Sequence, residues 1–168
     1  MIILLDGAKG AGKSSVAKIL LEKIKNVVFL SFDNERKLLP ERDKIVSGIH
    51  KEPFDKIIKK ASEYLKLEKN LVIDCGLTKE RVLDLEQLAL NFNSKLYKFY
   101  LTAPYEFLLK RVSERDSAKG KKTDVDRFDE VYNIVHSKEF NNFNIIETDK
   151  LSQEEVADTI SKIIGQKK

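Results

Sequence analysis

Gly7-Ala8-Lys9-Gly10-Ala11-Gly12-Lys13-Ser14 reads as a glycine, four residues, then Gly-Lys-Ser, the spacing of a phosphate-binding loop. An eight-residue pattern can arise by chance, so its flanks decide its meaning. Upstream, Ile2-Ile3-Leu4-Leu5 is short and continuously apolar, suited to a strand buried on both faces. Downstream, Val16, Ile19, Leu20 and Ile24 recur at helical spacing, which predicts a helix opening near Lys13. Strand, glycine loop, helix is the order that triphosphate binding needs. Glycines let consecutive N–H groups turn inward around an anion without Cβ clashes, and the helix N-terminus adds partial positive charge. Lys13 then reaches the β- and γ-phosphates, and the Ser14 hydroxyl holds Mg²⁺. The expected nucleotide-binding set is Gly7, Ala8, Lys9, Gly10, Ala11, Gly12, Lys13, Ser14 and Ser15. The competing reading, a glycine-rich turn carrying a solvated lysine, leaves the flanking pattern unexplained.

The 168 residues suit one domain, 1–168, large enough to bury a proper core. Hydrophobic residues make up 42% and charged residues 35%, which describes a folded protein and excludes a disordered one. The net charge of +4 is compatible with a polyphosphate ligand and too small to argue for nucleic acid. Cys75 is the one cysteine, so no intrachain disulfide can form, and a reducing cytoplasm is the expected compartment. No apolar run approaches the length of a signal-peptide core or a membrane span. His50 and His136 have no cysteine or second histidine at metal spacing, so neither zinc nor a metal cluster is expected.

Five apolar runs alternate with helical patterns: Ile2 to Asp6, Val27 to Phe32, Leu71 to Cys75, Leu96 to Leu101 and Asn144 to Thr148. Helices are predicted at Lys13–Lys25, Phe54–Leu67, Lys79–Phe92, Pro104–Arg115, Val125–Lys138 and Gln153–Ile164. Thr78 is placed to cap the third helix, Pro104 suits a first turn, and Ser152 with Glu155 spells a capping box. Such alternation predicts an α/β fold with a parallel sheet covered on both faces. Two segments break it. Residues 34–53 are polar, charged and carry Pro40 and Pro53, while Ser117 to Asp124 is a lysine-rich joint between two helices. Ligands of an open parallel sheet bind outside the carboxyl ends of its strands. The first segment is therefore read as the acceptor side and the second as part of a mobile lid spanning 104–138.

Several side chains near those strand ends carry chemistry. Asp33 follows Phe29-Leu30-Ser31-Phe32 and is read as closing the second strand, at the end of the sheet that bears the glycine loop. There it either accepts a proton from an acceptor hydroxyl or caps the helix that follows. Arg36 either clamps an acceptor phosphate or carboxylate, or pairs on the surface with Glu35 or Glu41; Arg42 is a weaker candidate of the same kind. Asp74 ends the strand Leu71-Val72-Ile73 and either serves Mg²⁺ and the acceptor or caps the next helix. Arg111 and Arg115 share a helix face ahead of the lysine-rich joint, and either clamp the transferring phosphate or pair with Glu114 or Asp116. Tyr105 is a candidate to stack on a base.

In order, the glycine loop, Asp33-x-x-Arg36, Asp74-Cys-Gly-Leu-Thr-Lys-Glu-Arg81 and Arg111-x-x-x-Arg115 resemble the small P-loop kinases. The likeness is to the polynucleotide-kinase-like group and its nucleoside and nucleotide kinase relatives, over most of the chain. It implies a P-loop NTPase fold with five parallel strands in the order 2-3-1-4-5 and a small helical lid. It also implies ATP as donor, Asp33 as the hydroxyl-activating base with Arg36 beside it on the acceptor, and lid roles for Arg111 and Arg115. One departure stands out: such kinases often continue the third strand as Asp, a residue, Thr-Asn, where this chain has Asp74-Cys75-Gly76-Leu77.

The expected activity is ATP- and Mg²⁺-dependent transfer of the γ-phosphoryl group to a hydroxyl of a small molecule or of a nucleoside or nucleic-acid end. A nucleoside monophosphate kinase is the alternative enzyme. A nucleotide-dependent switch that phosphorylates nothing is the alternative outside enzymes, although no Asn-Lys-x-Asp or Asp-x-x-Gly of a GTPase is present. An oligomeric AAA-type ATPase would need a longer chain with its own helical lid domain.

Overall fold

In the computed structural model, residues 1–39, 51–76, 78–136 and 142–165 are described. Arg42, Glu41, His50 and most of the 34–53 segment lie outside them, as does Leu77.

The chain runs β1 (Ile2–Gly7), α1 (Lys13–Lys23), β2 (Val27–Ser31), α2 (Phe32–Lys37), α3 (Lys51–Lys66), β3 (Asn70–Asp74), α4 (Lys79–Asn91), β4 (Leu96–Thr102), α5 (Tyr105–Ser117), α6 (Val125–His136), β5 (Asn144–Glu147) and α7 (Gln153–Ile163). All strand pairs are parallel, in the order β2-β3-β1-β4-β5. This is the order expected from the family likeness. The centre strand β1 is buried along its whole length, which is why its sequence is a continuous apolar run and not an alternating one.

Alternation survives within that run as a division between the two faces. Ile3 and Leu5 face a core completed by Val16, Ala17 and Leu20 of α1, Leu108 and Val112 of α5, and Val156 and Ile160 of α7. Ile2 and Leu4 face the opposite core, with Phe54, Ile57 and Ala61 of α3 and Leu85 and Leu88 of α4. The sheet is thus covered on both faces by helices.

Thr78 caps α4, its Oγ1 accepting from the Arg81 amide at 3.4 Å. Ser152 and Glu155 complete the capping box of α7. The sequence reading departs from the structure after β2. The strand ends at Ser31, and Phe32–Lys37 coil at once into α2, with Asp33 and Glu35 in the turn where helix dipoles favour acids. Asp33 therefore lies inside a helix, and Ser31 occupies the cap position with no side-chain cap bond. Glu35 is buried and accepts from Lys60 Nζ at 2.6 Å, which fastens α2 to α3.

Candidate functional site

The glycine loop joins the C-terminal end of β1 to the first turn of α1. Gly12 (φ 91°) stands just before that turn, and Ser15 and Val16 N–H groups bond back to its carbonyl at 3.0 and 2.9 Å. Gly10 (φ 92°) is pressed against α5: a Cβ there would meet the Leu108 carbonyl oxygen at 2.9 Å and Val112 Cγ2 at 3.1 Å. Helix α5 is thereby seated on the loop. Lys13 folds back over it, Nζ donating to the Gly7 carbonyl at 2.7 Å and the Ala8 carbonyl at 3.4 Å. Its ammonium is held at the mouth of the loop, and the Ser14 side chain beside it is exposed.

Asp74 arrives at the same place from β3. Burial pushes its carboxyl up to about 6, with Lys13 pulling it down and Asp6 and Asp33 pushing it up. Asp74 thus feels the charges of Lys13 in α1 after the loop, Asp6 of β1 and Asp33 in the first turn of α2. Asp33 is 75% exposed, with Arg36 Nη2 at 3.8 Å from its Oδ1. Arg36 pairs with Asp33 and not with Glu35, whose carboxylate is engaged by Lys60.

The two arginines of α5 separate. Arg115 donates from Nε and Nη2 to Asp116 Oδ1 at 3.2 and 2.9 Å, while Lys9 of the loop lies 3.9 Å from Asp116 Oδ2. Bonding to Arg115 holds the Asp116 carboxyl below its usual range, with help from Lys9 and Lys119. Arg111 turns to the other side, donating to the Thr148 carbonyl at 3.3 Å and lying over Phe107 at 4.3 Å. Tyr105 does not offer a base platform. Its ring packs edge-on against Phe128 and Tyr132, and its hydroxyl donates to Asp129 at 2.5 Å, joining α5 to α6. Lys119, Lys121 and Lys122 are solvated.

Two charged residues of this region had no role in the sequence reading. Asp6 is 1% exposed at the end of β1; the available signal was an ionisable residue inside a wholly buried strand. Arg81 is 7% exposed and donates from Nη1 to the Cys75 and Gly76 carbonyls at 2.6 and 2.8 Å. Burial lowers its guanidinium from the ordinary value, with Cys75 and Asp6 acting against that.

The sequence matches the family AAA_18, an AAA domain, over residues 3–134. The chain belongs to that family. No curated protein matches it in sequence. Its fold is shared with the tunicamycin resistance protein of Deinococcus radiodurans at 21% identity, 99% and 96% of the two chains and a TM-score of 0.70. A sugar kinase from Janibacter sp. HTCC2649 superposes at 12% identity, 98% and 94% coverage and a TM-score of 0.71. The APS kinase of Mycobacterium tuberculosis, solved with AMPPNP and APS, gives 16% identity, 97% and 96% coverage and a TM-score of 0.63. The fold of this AAA_18 member is that of small P-loop kinases. Its family is described as an AAA domain, the class that the sequence reading had set aside.

Among the described residues, no helix is long and apolar enough to cross a membrane. No group of three or more His, Cys, Asp or Glu among them is placed to hold a metal ion.

Proposed function

We propose that this AAA_18 protein is a cytoplasmic ATP-dependent kinase that moves the γ-phosphoryl group to a hydroxyl of a small molecule or of a nucleoside or nucleic-acid acceptor. The carrying observation is Lys13 folded onto the glycine loop, with Asp74 at the end of β3 electrostatically coupled both to it and to Asp33 in the first turn of α2. In this reading 1–168 is one kinase domain, with 34–53 on the acceptor side and 104–138 as lid.

Each group has a part. Backbone amides of Gly7 to Ser15 receive the β- and γ-phosphates, and Lys13 neutralises them. Ser14 and Asp74 suit Mg²⁺, because a hydroxyl and one carboxylate are hard oxygen donors and this ion takes few protein ligands when phosphates supply the rest. When bound, Mg²⁺ would offset the negative charge of the phosphates. The acceptor oxygen attacks the γ-phosphorus as the bond to the β–γ bridging oxygen breaks, and the hydroxyl proton passes to Asp33. Arg36 orients the acceptor. Arg111 and Arg115 answer charge growing on the equatorial oxygens, Arg111 after release from the Thr148 carbonyl and Arg115 after release from Asp116. The nucleotide complex of the APS kinase and the kinase neighbours at large support the donor half of the reading.

The test is to incubate the protein with [γ-³²P]ATP and Mg²⁺ against sugars, nucleosides, nucleoside monophosphates and 5′-hydroxyl oligonucleotides, beside Lys13→Ala. Label in a hydroxyl acceptor, absent with Lys13→Ala, is the expected result. Label confined to monophosphates would replace it by the monophosphate kinase reading, and tight ATP binding with no transfer by the switch.

A further inference from the structure

We infer that Arg81 is a positioning residue that sets the spacing of the two site acids, holding Asp74 through the loop after it and Asp33 through the residue before it. The inference rests on the kinase reading above and names a further working part of that site.

Beyond Asp74, β3 has run out of ladder partners. Its pairing with β1 ends at Ile73 and with β2 at Asp74. The next two carbonyls, of Cys75 and Gly76, belong to a chain turning away with Gly76 at φ 56°. Both are met by one Arg81 nitrogen, at 2.6 and 2.8 Å. Charge-assisted bonds of this kind are about twice as strong as neutral ones. The same guanidinium lies over the Phe32 ring at 4.5 Å and the Phe54 ring at 5.2 Å. Phe32 is covalently next to Asp33 and opens α2, while Phe54 belongs to α3. One planar cation thus touches the backbone neighbour of Asp74, the side-chain neighbour of Asp33 and the helix that braces both.

Burying a cation that is 7% exposed costs much of its hydration, and its bonds to two carbonyls offset that cost. What an apolar residue cannot do is bond two successive carbonyls and stack on two rings. Lysine cannot do both either, since its ammonium is a compact point charge without a plane to stack. This chain lacks the Thr-Asn that often follows the strand-end acid in the kinases it resembles. Here the loop is secured by Arg81 instead.

Cys75, the one cysteine of the chain, has a fully buried side chain in the loop that Arg81 holds. Its reaction with a thiol reagent such as DTNB reports opening of that loop once global unfolding, read from the melting curve, is accounted for. The experiment compares wild type with Arg81→Lys by thiol reactivity, thermal melting, and calorimetric titration of ATP with and without Mg²⁺. In the wild type, Mg²⁺ strengthens ATP binding and Cys75 reacts slowly. In folded Arg81→Lys, Cys75 reacts at least about tenfold faster, the factor expected for one lost charge-assisted bond. The strengthening by Mg²⁺ falls by about tenfold, as when a ligand's outer support is removed, while ATP binding without Mg²⁺ stays at the parental value. Parental thiol reactivity, or an undiminished Mg²⁺ effect beside a responsive wild type, overturns the inference alone. A wild type with no Mg²⁺ effect overturns the kinase reading and this inference with it. Should Arg81→Lys not fold, Phe32→Leu keeps the arginine and removes one ring. It must then show both changes at smaller size, and parental values in it overturn the inference equally.

Discussion

Gly7 lies so close to Leu101 across the β1–β4 ladder that a Cβ on it would fall 2.1 Å from the Leu101 carbonyl oxygen. The obstacle is main chain of a central strand, which cannot step aside as a flexible side chain would. Gly7 also has φ 145°, where a Cβ is strained in any surroundings. The loop's first glycine is therefore a condition of the sheet as much as of phosphate binding. Gly7→Ala is expected to cost on the order of 4 kcal/mol or more, the exceptional range, because backbone strain and a main-chain clash add. Gly12→Ala, with φ 91° and nothing within 4 Å of the added carbon, should cost only about 1–2 kcal/mol. Urea unfolding of the two variants measures the difference; equal losses would remove the sheet constraint from the account.

Much of this was legible in the chain because the signals were local. A buried centre strand, a loop of fixed glycine spacing and an amphipathic helix are written within residues 2–24, and Thr78 and the Ser152–Glu155 box are caps of a few residues' span. The short helix α2 was not legible. Six residues carry too little periodicity to be told from a polar loop, so Asp33 was placed at a strand end instead of in a first helical turn. Side-chain partners across long sequence separations were hidden for a related reason. Nothing in the order of residues says that Glu35 meets Lys60, that Lys9 lies near Asp116, or that Arg111 turns to Thr148.

The two arginines of α5, alike in sequence, should separate in their variants. Arg111 is tied to the Thr148 carbonyl and stacked on Phe107, so Arg111→Ala should lose about 1 kcal/mol of stability along with activity. Arg115 is 44% exposed and bonded only to its neighbour Asp116 among the partners described, and Arg115→Ala should melt as the parent does. Its effect should appear in turnover, a loss of about 10- to 1000-fold in kcat if it meets the transferring phosphate. Melting curves set beside single-turnover rates distinguish the two. Parental turnover in Arg115→Ala would leave Asp116 as its whole role.

Asp74 gives the site a pH dependence of defined sign. Its folded carboxyl stands at about 6 against an ordinary 3.8. Between those values the folded protein holds a proton that the unfolded chain releases, so stability falls as pH rises through that window and stays lower above it. Asp74→Asn removes the ionisation and should raise the melting temperature at neutral pH while changing it little near pH 4. Ligand binding runs the opposite way, because Mg²⁺ needs the carboxylate that the proton occupies. The Mg²⁺-dependent part of ATP affinity should therefore weaken as pH drops through about 6 and be lost in Asp74→Asn. Calorimetry across that range decides it; an affinity flat in pH would take the metal away from Asp74.

Asp33 is the sharpest test of catalysis as distinct from binding. It is 75% exposed, with Arg36 3.8 Å away, and a surface pair at that separation adds little to stability. Asp33→Asn keeps size and polarity, so the melting temperature and ATP affinity should remain parental. What the amide cannot do is take the acceptor's proton. Transfer to the acceptor identified by the labelling screen should fall by about 10²–10⁴-fold, the usual worth of a positioned base. The loss should sit in kcat, with the acceptor KM little changed, because the carboxylate acts as the proton leaves and not as the acceptor docks. Arg36→Ala should divide the other way, raising the acceptor KM and sparing kcat, if its guanidinium holds the acceptor's own charge. A parental transfer rate in Asp33→Asn would return the proton to solvent and leave α2 a docking helix.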